Sequence, residues 1–562
     1  MIDLQKFVDG SKVRLYVTLG LICFFLQAFV TSGHLLSPDG ELMFRTTESL
    51  ATRGSFTVDP LEYDPVSKQL LVPPTATFLT VQGRGGAYFA QYLPLQSVLA
   101  VPLVWLAQIT EPVFAEAVTR NLPNTISHPR MSPSESWRRF VVVLFFNSIV
   151  QTLTVLLLVR LLGFLLYGMR RPMFIGGLLY LTTTMVWPHS RTFFTEPLAT
   201  LCFVVALDQI VRWFRSSHLE TAARLKFVTI MGAAFVASIF TRADSPFLVL
   251  GFGLSFVALG EWKRLRCSAY GEPVPPFPWK EYLIPGVMAI VGFALMVGFN
   301  QWRFAENATL LGGGYGDNPE GIKFSTPLLV GLQGYIMSPG KSILLFSPGI
   351  ILGLWGWVYA PPQARWLRGF FIGAYFPFAL AMVLWQNWDG GWCWGPRHIL
   401  QLHAPIMIGA AFLFIQPRTK LLAYTTRSLL IAAGVLAQLI GSLQSPMDFY
   451  RELYLSLKDG VYFSTAMRPM ELQTIAQDYQ VMKLHPSNPR LNRPVSPAVL
   501  PAPLTDSLYV PQHTQWVGAP LLWTLGYCDV FVLRLIGFGA EEVPVLPEGT
   551  FNQTAAPNEF LQ

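Results

Sequence analysis

Carboxylates, guanidinium groups and imidazoles recur in this chain in a few short stretches, each beside the end of a long apolar run. Ser37-Pro38-Asp39-Gly40-Glu41 follows the first run, Val13 to Gly33. Trp187-Pro188-His189-Ser190-Arg191 and Thr195-Glu196-Pro197 stand between the third and fourth, and Thr241-Arg242-Ala243-Asp244 between the fifth and sixth. Ser338-Pro339-Gly340-Lys341 and Ser347-Pro348-Gly349 border the eighth, and Trp388-Asp389-Gly390-Gly391-Trp392-Cys393-Trp394-Gly395-Pro396-Arg397-His398 joins the ninth to the tenth. Ionisable groups at a membrane boundary are tolerated but seldom placed there without use. A carboxylate can take the proton from an attacking hydroxyl, and cations can stabilise a departing phosphate. Together they suit transfer of a group from a lipid-linked phosphate to a hydroxyl.

The elements that must position these groups are membrane helices. Of 562 residues, 52% are hydrophobic and only 13% charged, too little charge for a soluble chain of this length. Apolar runs of about 20 residues, each able to cross the hydrocarbon layer, fall near 13–33, 140–167, 172–188, 197–214, 226–241, 245–261, 282–300, 343–360, 369–386, 398–416 and 426–443. The expected fold is therefore an all-α polytopic membrane protein of about 11 transmembrane helices, with residues 1–445 as the membrane domain. The first run is too long for a signal-peptide core and no small-residue cleavage site follows it, so it reads as a retained helix. The five cysteines show no metal-ligand or disulfide spacing. The net charge of +7 is gathered at helix ends rather than on one basic face, which argues against nucleic acid as a partner.

Sidedness hangs on 92–109, which begins Tyr92-Leu93-Pro94-Leu95 and contains Pro102. If it does not cross, the short loops on one side carry Arg170, Arg171, Arg212, Arg215, Arg224, Lys226, Lys263, Arg264, Arg266, Lys280, Arg365, Arg368, Arg418, Lys420 and Arg427. The opposite short loops carry Arg191, Arg242 and Arg397. That asymmetry follows the positive-inside rule, so 92–109 reads as a juxtamembrane or re-entrant helix within a long first outer loop, 34–139. A second outer loop covers 301–342, including Gly312-Gly313-Gly314-Tyr315-Gly316-Asp317. A Pro-rich outer-face tail covers 446–562, with an apolar stretch, 517–538, that contains Asp529 and Arg534 and is expected to lie on the membrane surface or on the first loop. All the reactive stretches then share one face.

Each stretch also has a plainer reading. Glu196 before Pro197 suits a helix start; Arg242 and Asp244 could form an ion pair within a turn; the tryptophans of 385–394 could be an interfacial belt. Arg397-His398 is different, because a cation at a helix start opposes the helix dipole and calls for an anionic partner.

The chain resembles the C-type superfold of polyprenyl-phosphate-sugar glycosyltransferases, in particular bacterial relatives of the protein O-mannosyltransferase and aminoarabinose-transferase group. The likeness runs from about residue 14 to 445. It rests on Asp39 after the first helix, on Arg84-Gly85-Gly86-Ala87-Tyr88-Phe89-Ala90-Gln91-Tyr92-Leu93-Pro94-Leu95, on the run from Trp187 to Pro197, on Ser338-Pro339-Gly340-Lys341 to Ser347-Pro348-Gly349, and on Trp388 to His398. The resemblance implies an inverting transferase with a periplasmic or lumenal active site, a polyprenyl-phosphate-linked sugar as donor, and a glycan, lipid or protein as acceptor. It implies Asp39 as general base, Glu196 as a second acid, and Arg397, with Arg242 and Lys341, on the donor phosphate. Glu41 is a third candidate acid, although Gly40 separates it from Asp39 where relatives have adjacent acids. His398 joins the phosphate set, and His189, Arg191, Asp244, Tyr315, Trp388 and Asp389 are candidates for holding substrate. No ligand spacing settles a metal, so a divalent ion stays open as cofactor. The expected location is the inner membrane of a bacterium, N-terminus cytoplasmic, active site and tail periplasmic. The competing class is a transporter or flippase of a lipid-linked or anionic solute, which calls for charges buried mid-helix and two similar halves; a binding scaffold is a third.

Overall fold

The computed structural model describes residues 12–58, 80–122, 132–216, 221–269, 276–305, 308, 324–385, 388–391, 393–415, 421–443 and 528–536. Helices dominate, as they must where backbone groups have no water to bond. In chain order they are α1 (Lys12–Phe29), α2 (Pro38–Arg53), α3 (Leu95–Thr119), α4 (Pro133–Leu165), α5 (Arg170–Thr182), α6 (Glu196–Arg215), α7 (Thr221–Ile239) and α8 (Ser245–Ala269). Then follow α9 (Trp279–Phe304), α10 (Leu328–Met337), α11 (Gly349–Val358), α12 (Trp366–Leu384), α13 (His403–Phe412) and α14 (Leu421–Leu443). Among the described residues eight helices are long and apolar enough to cross a membrane. The protein is an all-α polytopic membrane protein.

All eleven expected positions are helical, but four of the helices are shorter than expected. α1 and α5 are cut to 18 and 13 residues. The run 343–360 breaks at Ser347-Pro348 into a single turn, Ile343–Phe346, and α11. The hydroxyl of Ser347 takes the backbone N–H of Met185 (2.9 Å), and Gly349 lies so close to Thr183 that a Cβ would sit 2.0 Å from its hydroxyl. The run 398–416 opens with a 3-10 stretch, Arg397–Leu402, before α13. α11 and α13 meet backbone to backbone, with a Cβ on Gly356 falling 1.8 Å from the carbonyl of Gly409, the close approach that small residues permit between apolar helices. α1 ends at Phe29, well before Pro38, and Pro38 instead opens α2, where a missing N–H costs nothing.

Residues 80–90 form the one sheet among the described residues, a hairpin pairing Thr80–Gln82 with Tyr88–Ala90 in the register Val81 to Phe89. It turns through Arg84–Gly86, with Gly85 and Gly86 at positive φ. Arg303 at the end of α9 ties it down, donating to the carbonyls of Ala90 (2.9 Å) and Tyr92 (2.8 Å).

α3 is longer than the 92–109 stretch read from the sequence, since Pro102 and Pro112 lie within one continuous helix. By length and composition it could span, yet its two ends meet the same side of the bundle. Leu95 N–H donates to Phe240 O beyond α7 (3.1 Å). At the far end Arg534 donates to Asn121 O (3.3 Å), while nearby Phe531 N–H donates to Thr31 O beyond α1 (2.8 Å). Its buried face packs on residues 137–150 of α4.

The opposite end of the bundle holds a separate set of charges. Asp208 on α6 is fully buried and accepts from Arg160 (2.7 Å) and Arg212 (2.8 Å), and Glu281 is paired with Arg224 (2.8 Å). The charges between the two ends are few, so the helices present apolar surface along their lengths.

This arrangement fixes a labelling pattern. Single cysteines at positions 54 and 121, in a cysteine-free background, should react with an impermeant maleimide from one side of the membrane, and one at position 215 from the other. Labelling of 121 together with 215 would mean that α3 crosses.

Candidate active site

Asp39 lies in the first turn of α2, whose N-terminus is capped by the Ser37 hydroxyl accepting from Gly40 N–H (3.1 Å). A carboxylate there complements the helix dipole. Its Oδ2 receives the Nη2 of Arg397 at 2.6 Å, a contact across 358 residues of chain. Arg397 is the anionic-partner-seeking cation at the start of the tenth expected helix, and its guanidinium lies 4.1 Å above the ring of Phe194. The loop that delivers it turns at Gly390 (φ 82°), where a Cβ would meet the Arg397 side chain at 3.0 Å.

From Arg397 the charges alternate inward. Glu196 Oε1 is 3.8 Å from Arg397 Nε and 2.5 Å from Arg242 Nη1. Arg242 in turn grips Asp244 with two parallel bonds, 2.8 Å and 2.5 Å. Acid, base, acid, base, acid thus form one row from α2, the 397 loop, α6 and the turn between α7 and α8. His398 flanks the row, with Nδ1 at 3.7 Å from Glu196 and 3.4 Å from Arg242, its ring packed on Trp385. The Asp39 and Arg397 side chains are 18% and 15% exposed, against 4% for Glu196 and 9% for both Arg242 and Asp244. The open end is Asp39 with Arg397.

The turn 189–196 is held carbonyl by carbonyl. Asn147 Nδ2 donates to Thr192 O (2.6 Å) and Phe194 O (3.2 Å), and Gln96 Nε2 donates to Phe193 O (2.7 Å). His189 is buried, its Nε2 donating to Trp394 O (3.1 Å), and burial pushes its pKa down to about 4, so the ring is neutral.

Several expected site residues are engaged elsewhere. Glu41 points away from Asp39, into a buried pairing with Arg139 (2.6 Å) and Arg45 (3.0 Å). Burial alone would raise its pKa, but the two guanidinium groups outweigh burial and hold it at about 2. Lys341 is fully buried with its ammonium on the carbonyls of Gly391 (2.6 Å), Cys393 (3.0 Å) and Gly395 (3.3 Å). These bonds make Lys341 a brace for the loop that carries Arg397. Arg191 is buried on Asp529 and on the carbonyl of Ser442. Asp389 accepts from Gly391 N–H (2.8 Å), closing a turn, and Trp388 is packed in the space left by Gly334 and against the Tyr335 ring. Tyr315 lies outside the described residues, as do most of 517–538 and of the tail.

Sequence reading missed Asn147, Gln96, Arg139, Phe194 and Asp529. Asn147 and Gln96 did leave a signal, as polar side chains inside apolar runs. Arg139 and Phe194 left none, since their roles depend on distant partners. Among the described residues no group of three or more His, Cys, Asp or Glu could hold a metal ion. Each acid of the row, Asp39, Glu196 and Asp244, faces an arginine.

No protein-family model matches the chain, and no curated protein matches it. Among solved structures it is similar to ArnT from Cupriavidus metallidurans bound to undecaprenyl phosphate, at 15% identity and TM-score 0.40, over 93% of this chain and 77% of that one. The apo state of the same protein gives 15% and 0.41 over the same shares. The archaeal oligosaccharyltransferase AglB from Archaeoglobus fulgidus, in complex with an inhibitory peptide and a dolichol-phosphate, gives 14% and 0.38 over 86% of this chain. This chain covers 61% of AglB, less than two thirds of its length. These likenesses are too distant to transfer a residue's role.

The Glu41 pairing carries a stability prediction. Its folded pKa of about 2 lies below the ordinary value of about 4.3. The stabilisation is therefore complete above pH ~4.3 and is lost as pH falls toward 2. Glu41→Gln should cost about 3–5 kcal/mol by stranding Arg139 and should flatten the acid limb of the thermal midpoint against pH. An unchanged midpoint at neutral pH would contradict the pairing.

Proposed function

We propose that the protein is a membrane glycosyltransferase that moves a sugar from a polyprenyl-phosphate donor to an acceptor hydroxyl at the exported face of the membrane. The observation that carries this reading is the 2.6 Å contact of Asp39 with Arg397 at the open end of the charge row. It puts a candidate base and a candidate phosphate ligand side by side at one mouth of a helical bundle. The run from Trp187 to Pro197, Lys341 and the stretch from Trp388 to His398, which carry part of the sequence resemblance, meet around the same point and support the donor class.

In this mechanism the acceptor oxygen attacks the anomeric carbon from the face opposite the phosphate. The bond from that carbon to the phosphate oxygen breaks, its electron pair leaves with the lipid phosphate, and the configuration inverts. Asp39 takes the hydroxyl proton as attack proceeds. Arg397 offers the leaving phosphate a planar pair of donors. Among the described residues it has one close carboxylate bond at rest, so an incoming phosphate competes with Asp39 for it. Donor binding then loosens Asp39 and readies it for the acceptor. Glu196, Arg242 and Asp244 keep the Arg397 guanidinium in register, and neutral His189 holds the loop at Trp394. α3, with Trp105, Leu106, Ile109 and Val113 exposed, offers the polyprenyl chain an apolar flank. The loop charges orient the N-terminus toward the cytoplasm and the row toward the periplasm of a bacterial inner membrane.

Purified protein supplied with labelled polyprenyl-phosphate sugars and an acceptor panel tests the reading. The wild type should transfer label, and Asp39→Asn should lower turnover by about 10²–10⁴-fold while still purifying as a folded protein. Transfer by Asp39→Asn at the wild-type rate would reject Asp39 as base. Translocation of the labelled lipid across vesicles without transfer would replace the enzyme by a flippase.

A further inference from the structure

One group of buried charges lies beside the row and takes no part in it. Asp529 is fully buried, and both its oxygens are occupied, Oδ1 by His34 Nε2 at 2.6 Å and Oδ2 by Arg191 Nη2. The same Nη2 donates to the Asp529 carbonyl at 2.6 Å, and Arg191 Nη1 donates to Ser442 O. The short stretch around Asp529 is docked along its length. Asp529 N–H donates to Leu443 O at the end of α14 (2.7 Å), and Phe531 N–H to Thr31 O (2.8 Å). The Phe531 ring stands edge-on to Phe140 at 4.7 Å and packs with Ala107, Ala115 and Val118 of α3. Arg534 reaches Asn121 O.

We propose that Cys528–Ile536 is a clamp belonging to the site and that Asp529 is a positioning residue acting through Arg191. The positioning half of this proposal rests on the active-site reading given above; the clamp half does not. Arg191 stands two residues after His189 and five before Glu196, in the turn whose Phe194 ring supports the Arg397 guanidinium. Asn147 and Gln96 fix that turn at residues 192–194 from one side; Asp529 fixes it at Arg191 from the other. A buried guanidinium deprived of its carboxylate cannot stay where it is, so losing Asp529 moves the platform under Arg397. The same clamp joins the ends of α1 and α14 to α3.

A protease site introduced near residue 500 separates the two halves of the proposal. After cleavage, the fragment carrying 528–536 should stay with the membrane part through detergent purification, and in Asp529→Ala it should be lost to about a tenth or less. A fragment that leaves the wild type, or stays in Asp529→Ala, overturns the clamp whether or not the protein transfers sugar. For positioning, Asp529→Asn is compared, uncleaved, with Arg534→Ala, which removes the bonds to the Asn121 and Cys528 carbonyls and leaves the Asp529–Arg191 pair in place. Asp529→Asn should lower kcat by about tenfold with donor KM held within about twofold, and Arg534→Ala should leave both unchanged. Equal effects of the two variants would reduce Asp529 to an anchor and reject its positioning role.

Discussion

Everything at the end of the bundle that holds Asp39 and Arg397 depends on the pairing of buried charge. A carboxylate or guanidinium withdrawn from water is stable only if an opposite charge meets it in good geometry. Asp39, Arg397, Glu196, Arg242 and Asp244 satisfy that condition as a single row, so no member can be moved without exposing the next. The row therefore fixes where α2, α6, the turn before α8 and the 397 loop stand relative to one another. It also leaves one end accessible, and that end holds an acid and a base that a substrate could separate.

The supports of the row repeat the same logic with backbone groups. Lys341 spends its ammonium on three carbonyls of the 391–395 loop, and Asn147 and Gln96 spend their amides on three carbonyls of the 192–194 turn. Glu41 with Arg139, and Asp529 with Arg191, lock the flanking segments. Preorganisation of this kind lets a few polar side chains act without reorganising during reaction. The price is met by the large apolar interior between helices, where Leu, Val and Phe side chains pack with almost no exposure.

Much of this was legible in the chain. Runs of apolar residues located every expected helix, because hydrocarbon thickness sets run length. The charged stretches at run ends located Asp39, Glu196, Arg242 and Arg397, because such groups are rare there. What the chain did not disclose was which charges serve the site and which serve the scaffold. Lys341 stood behind Arg397 as a phosphate candidate, and Glu41 behind Asp39 as a candidate acid. Their fates are decided by neighbours such as Arg139, 98 residues away in sequence, whose position is a matter of packing. The breaks at Ser347-Pro348 and before His403 were hidden by hydropathy, which stays high across a kink. The hairpin at 80–90 was too short to show a strand period.

In the proposed mechanism Arg397 is shared, bonded to Asp39 at rest and to phosphate when donor is bound. Binding of a sugar-free polyprenyl phosphate to purified protein measures this directly, without requiring any turnover. Asp39→Asn removes the competing charge and should bind the lipid at least as tightly as wild type, whereas Arg397→Ala should bind it at least about tenfold more weakly. Wild-type affinity in Arg397→Ala, or a comparable loss in Asp39→Asn, would contradict the account.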